Sequence, residues 1–132
     1  MSFHYETARR DFIKVQTDVP VRYKFLSRTV SVDGESIFEG FTSTVSGHGL
    51  LLVGKVPAVS WVPALLMQDI VLGLNLLLPA ADAPIKALAQ VAWIEAFEKG
   101  SDKIAMGLRF TEIAKESQDE LLRFVIKTQI AR

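Results

Sequence analysis

Between Ile104 and Thr111 the chain alternates without a fault: Ile104, Met106, Leu108 and Phe110 on one side, Ala105, Gly107, Arg109 and Thr111 on the other. A period of two sends successive side chains to opposite faces, so this segment is a half-buried strand that needs a core on one side only. The same period recurs upstream. Val19, Val21, Tyr23 and Phe25 alternate with Pro20, Arg22, Lys24 and Leu26, with Pro20 suited to the first residues of a strand or to an edge. Ile70, Leu72, Leu74, Leu76 and Leu78 share a face over Asp69–Leu78, and Ala87, Ala89, Val91 and Trp93 are read as inward over Ile85–Phe97. Two further strands are expected at about Ile37–Val45 and Leu50–Val53. Turn signals separate these runs: Asp33-Gly34, the Ala/Asp/Pro-rich stretch Pro79–Pro84, and Lys99-Gly100-Ser101-Asp102.

Six short strands at hairpin-like spacing close into an antiparallel barrel or a sandwich, and a C-terminal helix covers an open end. The helix is expected over about 117–131, opened by a Ser117/Glu120 capping box. Its apolar stripe is Leu121, Leu122, Val125, Ile126 and Ile130. Lys55–Gln68 breaks the pattern, because Pro57 and Pro63 forbid a regular central strand while Val59, Trp61, Val62, Leu65 and Leu66 call for burial. A loop or short helical turn over one end of the sheet fits, with Trp61 as lid or core. Residues 1–15 form a flexible basic N-terminal arm with Phe12 and Val15 as apolar anchors, and 16–132 form a single domain.

With 132 residues, 49% hydrophobic and 23% charged, the chain can bury one core. Fifteen cations balance fifteen anions, which argues against general DNA or RNA binding. Cysteine is absent, so disulfides, thiolate metal sites and Cys nucleophiles are excluded, and a reducing cytoplasm is the expected location. Val56–Leu78 is interrupted by Pro57, Pro63, Asp69 and Asn75 and falls short of the ~18 apolar residues of a membrane span. His4 and His48 are the only histidines, and neither stands at metal-ligand spacing. With no G-x-S-x-G elbow, no HExxH motif and no base specified for the hydroxyls of Ser43–Ser46, no catalytic residue and no metal or cofactor is expected.

Binding chemistry is better represented. The stretch Thr42-Ser43-Thr44-Val45-Ser46-Gly47-His48-Gly49 runs from a β-branched segment into a Gly-x-Gly turn. Its glycines permit positive φ or a close approach, and Ser46 offers a hydroxyl to the turn or to a ligand. Arg9-Arg10-Asp11-Phe12-Ile13-Lys14 places cations at 10 and 14 just before the first strand. A guanidinium can lie on a base and form a forked hydrogen bond to guanine O6 and N7. A basic arm folded across the glycine turn would suit a small, anionic, guanine-bearing ligand.

Taken together, the RR-x-F-x-K segment, the Pro-Val-Arg-Tyr strand, the T-x-S-x-x-G turn, Val91 and Trp93, the Ile-Ala-Met-Gly-Leu-Arg-Phe strand and the terminal helix resemble a PilZ domain. PilZ domains are bacterial receptor modules for the second messenger cyclic di-GMP. The resemblance runs from about Arg9 to Lys127. It implies a six-stranded antiparallel β-barrel of the split-barrel type with a C-terminal α-helix, and a ligand site at Arg9, Arg10, Lys14, Thr44, Ser46 and Gly49. The family uses two arginines separated by three residues, then Asp or Asn, one residue, Ser, two residues, Gly. Here Lys14 replaces the second arginine and Thr44 the acid or amide. Lysine lacks the planar fork, and threonine lacks the carboxylate, each at a cost of about 1–3 kcal/mol. The resemblance therefore implies either a cyclic di-GMP receptor that relays binding to a protein partner by ordering the arm, or an adaptor with weak or no nucleotide binding. In the adaptor reading the apolar Val56–Leu66 segment is a candidate contact surface.

Overall fold

Every strand among the described residues pairs antiparallel with its neighbours, and the ladder returns on itself. The computed structural model describes residues 14–96 and 103–131. The strands are β1 (Lys14–Gln16), β2 (Pro20–Leu26), β3 (Phe38–Ser46), β4 (Gly49–Lys55), β5 (Val71–Leu76), β6 (Ile85–Ala96) and β7 (Lys103–Ile113). Their order is β1-β3-β2-β5-β6-β7-β4, and pairing of β4 with β3 closes a six-stranded barrel. Short β1 lies beside the far end of β3, with Lys14 opposite Ser46 and Gln16 opposite Thr44. A turn of 3-10 helix (Val59–Trp61), a short helix α1 (Val62–Leu66) and the terminal helix α2 (Lys115–Ile130) complete the fold. Arg9, Arg10, Phe12 and the expected turn at 99–102 lie outside the described residues.

The inward faces follow the alternation. Val21, Tyr23 and Phe25 of β2, Leu72, Leu74 and Leu76 of β5, Ala89 and Val91 of β6, and Met106 and Leu108 of β7 are all buried. A barrel of this strand number is narrow, and these described side chains fill its interior. The Tyr23 hydroxyl donates to the Lys55 carbonyl at 2.7 Å, and its burial pushes the phenol pKa up to about 12. Trp61 packs edge-on against Phe25, ring centroids 5.3 Å apart, so it closes the core as a lid, while α1 contributes fully buried Leu65. Val59, in the 3-10 turn, is by contrast exposed, and so is Leu66 at the end of α1, since a five-residue helix presents only one face to the barrel.

The helix differs from expectation at both ends. It begins at Lys115 with Ala114 in the N-cap position and no side-chain cap, so Ser117 lies within the first turn and the expected capping box does not form. The continuous run from β7 fixes where the helix can start, and this overrides the local capping signal. Leu121 and Val125 are buried, whereas Ile130 at the last turn is exposed. The Asp33-Gly34 turn forms as expected. The Asp33 carboxylate accepts from the Ser36 hydroxyl and the Glu35 N–H, which hold its carboxyl below the usual range.

Three register shifts interrupt the ladders, and two of them turn side chains onto the outer wall. Thr42 pairs with Leu52 but Thr44 with Leu51, leaving Ser43 as an extra residue in β3. Val91 pairs with Leu108 but Trp93 with Gly107, leaving Ala92 extra in β6. Each bulge moves the period by one and sends the next side chain to the opposite face. Trp93 is therefore not inward, as strict alternation predicts. It is 44% exposed, and Ile94 takes its place against the core.

Candidate nucleotide-binding site

The two bulges assemble a surface on the outside of the barrel. Thr42 is wholly buried, and without the extra Ser43 its neighbour Thr44 would share that inward face. Turned outward instead, Thr44 begins a row across the sheet: Thr44, Leu51 of β4, Gly107 of β7 and Trp93 of β6. A parallel row carries Lys14 opposite Ser46, then Gly49 opposite Arg109, then Gln90. Apart from Gln90, these residues line a hollow of about 290 Å³, to which His48 also contributes.

Glycine shapes this hollow at two points. A Cβ on Gly107 would fall 2.2 Å from the indole Nε1 of Trp93, so the ring lies directly on the β7 backbone. A Cβ on Gly49 would fall 1.9 Å from the Leu108 carbonyl oxygen, so close approach of β4 to β7 demands glycine there. Neither Gly47 nor Gly49 takes the positive φ that the Gly-x-Gly spacing permits. The turn is instead held by Ser46, whose Oγ accepts from the His48 and Gly49 N–H groups and donates to the Gly49 carbonyl, each at 3.2 Å. One proton and two lone pairs are all a hydroxyl has, so Ser46 shapes the turn and has no capacity to spare. Gln118 of α2 donates from Nε2 to the Gly47 carbonyl at 3.0 Å, which ties the helix to the turn.

Of the six residues expected at the site, Lys14, Thr44, Ser46 and Gly49 share this hollow, while Arg9 and Arg10 lie outside the described residues. Lys14 is exposed, and its neighbour Val15 is buried, which seats β1 firmly beside the turn. Two contributors were not among the six. Trp93 offers an aromatic face, and its outward position was hidden by the bulge. Arg109 donates to Gln90 Oε1 at 3.2 Å, a neutral acceptor that leaves its charge available. Among the described residues no cluster of His, Asp or Glu is arranged to hold a metal, and no helix is long and apolar enough to cross a membrane. The arrangement is thus an aromatic platform flanked by cations, the equipment for stacking a base and meeting phosphate.

The PilZ domain profile matches residues 9–127. The chain belongs to the PilZ domain family. PilZ domains are regulatory binding modules. Solved structures agree on the fold. The inhibitor of motility MotI/DgrA of Bacillus subtilis superposes with a TM-score of 0.67 at 21% identity, covering 91% of this chain and 51% of that one. The PilZ domain of Escherichia coli YcgR, solved with cyclic di-GMP, gives 0.57 at 8% identity, with 89% of each chain covered. Borreliella burgdorferi PlzA, also in complex with cyclic di-GMP, gives 0.58 at 11%, covering 98% of this chain and 56% of that one. The PilZ chain thus spans about half the length of MotI/DgrA and PlzA. No curated protein matches it at the level of sequence.

Proposed function

We propose that this PilZ domain binds cyclic di-GMP on the outer wall of its barrel and passes the signal to a protein partner through the N-terminal arm. The observation that carries the reading is the pair of bulges, which turns Thr44 and Trp93 outward beside Lys14 and Arg109. Trp93 stacks a guanine, Lys14 and Arg109 meet the phosphates, and Arg10 supplies the forked contact to guanine O6 and N7. Because β1 pairs with the turn-bearing end of β3, a ligand held there sits at the root of the arm. Binding then orders the N-terminal arm against the barrel and alters the surface a partner meets. Support also comes from YcgR and PlzA, both solved with this ligand.

Isothermal calorimetry tests the reading. Cyclic di-GMP is expected to give a saturable isotherm that Arg10→Ala abolishes and Trp93→Ala weakens by roughly ten- to a hundredfold, the worth of one stacked base at about 1–3 kcal/mol. A specific observation favours a second reading, that of an adaptor: the Ser46 hydroxyl is fully used by the turn, and Thr44 brings no carboxylate. A flat titration at high micromolar ligand selects the adaptor.

A further inference from the structure

Five glycines lie within strands of the described structure, and four of them have an evident reason. A Cβ would fall 2.4 Å from the Val53 carbonyl oxygen at Gly40, 1.9 Å from that of Leu108 at Gly49, 2.4 Å from the Tyr23 hydroxyl at Gly54 and 2.2 Å from Trp93 at Gly107. Gly73, in the middle of β5, has no such reason. The nearest atom to a Cβ there is Leu26 Cδ1 at 3.4 Å, an ordinary contact, and its φ is not left-handed. Nor does a bulge mark the place: the ladders of β5 with β2 and β6 run in unbroken register. A strand-interior glycine that the fold does not need weakens the strand, and one remaining explanation is close approach of another molecule.

The surroundings of Gly73 describe that molecule. Across the outer face run two rows: Lys24, Gly73, Leu88 and Glu112, and beside them Arg22, Asn75 and Lys86. The missing side chain opens a groove of about 570 Å³ over β2, β5, β6 and the end of β7. Leu26, Leu88 and Ile113 give it apolar walls, and Ile37 stands at its rim 65% exposed. Lys24 and Lys86 have no ion-pair partner among the described residues, whereas Arg22 meets Glu39 at 3.7 Å. Four adjacent strands span three spacings, about 14 Å, the length of roughly four extended residues.

We propose that this groove docks an acidic peptide segment of a partner protein, with an apolar side chain seated over Gly73 and flanking carboxylates on Lys24 and Lys86. The site is separate from the hollow at Trp93 and stands whether or not cyclic di-GMP binds there. The glycine, the apolar walls and the two lysines then each have a use: Gly73 admits the peptide's apolar side chain, Ile37 and Leu88 gain cover, and Lys24 and Lys86 gain partners.

Fluorescence polarisation on the full chain tests the proposal, with dye-labelled peptides Glu-Asp-X-Asp-Glu in which X is Ile, Leu or Phe, against controls carrying Gln and Asn. At least one acidic peptide is expected to saturate the protein below about 1 mM, the weak end of specific affinity, and to lose affinity as salt rises. Gly73→Val fills the groove and is expected to abolish binding while the melting temperature holds or rises, since β-branched residues suit strands. Lys24→Glu with Lys86→Glu, on exposed side chains, is expected to weaken binding at least tenfold with an unchanged melt. Absence of saturable binding by all three acidic peptides overturns the proposal. So does binding that survives either variant, or equal binding of the neutral controls.

Discussion

Gly49 and Gly47 stand two residues apart, and the space around them differs sharply. At Gly49 a methyl group would collide with backbone, which cannot rotate away, so Gly49→Ala forces β4 from β7. Overpacking of this kind costs about 1–3 kcal/mol, and a backbone obstacle places the change at the upper end. At Gly47 the nearest atom is Leu122 Cδ1 at 3.5 Å, so Gly47→Ala fits and is expected to be neutral or to stabilise by up to about 1 kcal/mol. Urea unfolding midpoints of the two variants check the contrast. Tyr23 makes a second prediction. Its folded pKa of about 12 exceeds the ordinary value of 10.0, so the buried phenol favours folding fully below pH 10. That contribution is lost as the pH rises toward 12, in total roughly 2–3 kcal/mol. Tyr23→Phe is expected to be less stable than the parent at pH 8, for want of the Lys55 bond, but to lose less stability between pH 10 and 12. Chemical denaturation across that range reads the crossover.

At the scale of elements, Thr42 decides where β1 sits. Its Oγ1 accepts from the Val19 N–H at 2.9 Å and donates to the Thr17 carbonyl, pinning the link between β1 and β2 onto β3. Thr42→Val keeps the shape and strands both backbone groups in the interior, at about 1–3 kcal/mol each. The expected result is a loss of several kcal/mol in denaturant titrations, together with faster amide exchange in residues 14–19 than elsewhere in the sheet. Nothing in the spacing around Thr42 announces this role, because it depends on a partner 25 residues away. Strands were legible for the opposite reason: alternation such as Val21, Tyr23 and Phe25 is written within one segment and needs no partner. A bulge is a mismatch of two residues against one between strands, so neither strand alone records it. That is why Trp93 read as inward while its neighbour Val91 read correctly. The glycine turn was legible as a turn, but whether Gly49 serves φ or close approach depends on Leu108, which arrives from another strand. The helix stripe was legible at Leu121 and Val125, whereas its start was set by where β7 ends.

For the whole molecule, the decisive fact is that described side chains fill the barrel interior, so the site proposed for the nucleotide is on the outer wall. Tyr23, Phe25, Leu52, Leu72 and Met106 leave no room inside. A ligand on the wall meets side chains in contact with water, where charge is screened and single contacts are modest. Affinity then depends on how many well-oriented contacts converge, and in the proposed site Lys14 and Thr44 stand where the resemblance places an arginine and an acid or amide. Restoring them tests that logic. Lys14→Arg returns a planar fork opposite Ser46, and Thr44→Asp returns a carboxylate on the outward face opposite Leu51. Each is worth about 1–3 kcal/mol for hydrogen bonds involving a charged group, or one to two decades of affinity. The two residues line one hollow, so their effects need not add, and tenfold is the least the pair should gain. Calorimetry with cyclic di-GMP at low and high salt measures it, with the gain shrinking as salt rises. Stability should barely move, since neither side chain is buried. A double variant that folds as the parent does and binds no tighter would mean that Lys14 and Thr44 do not touch the nucleotide, leaving Trp93 and Arg109 to hold whatever this wall binds.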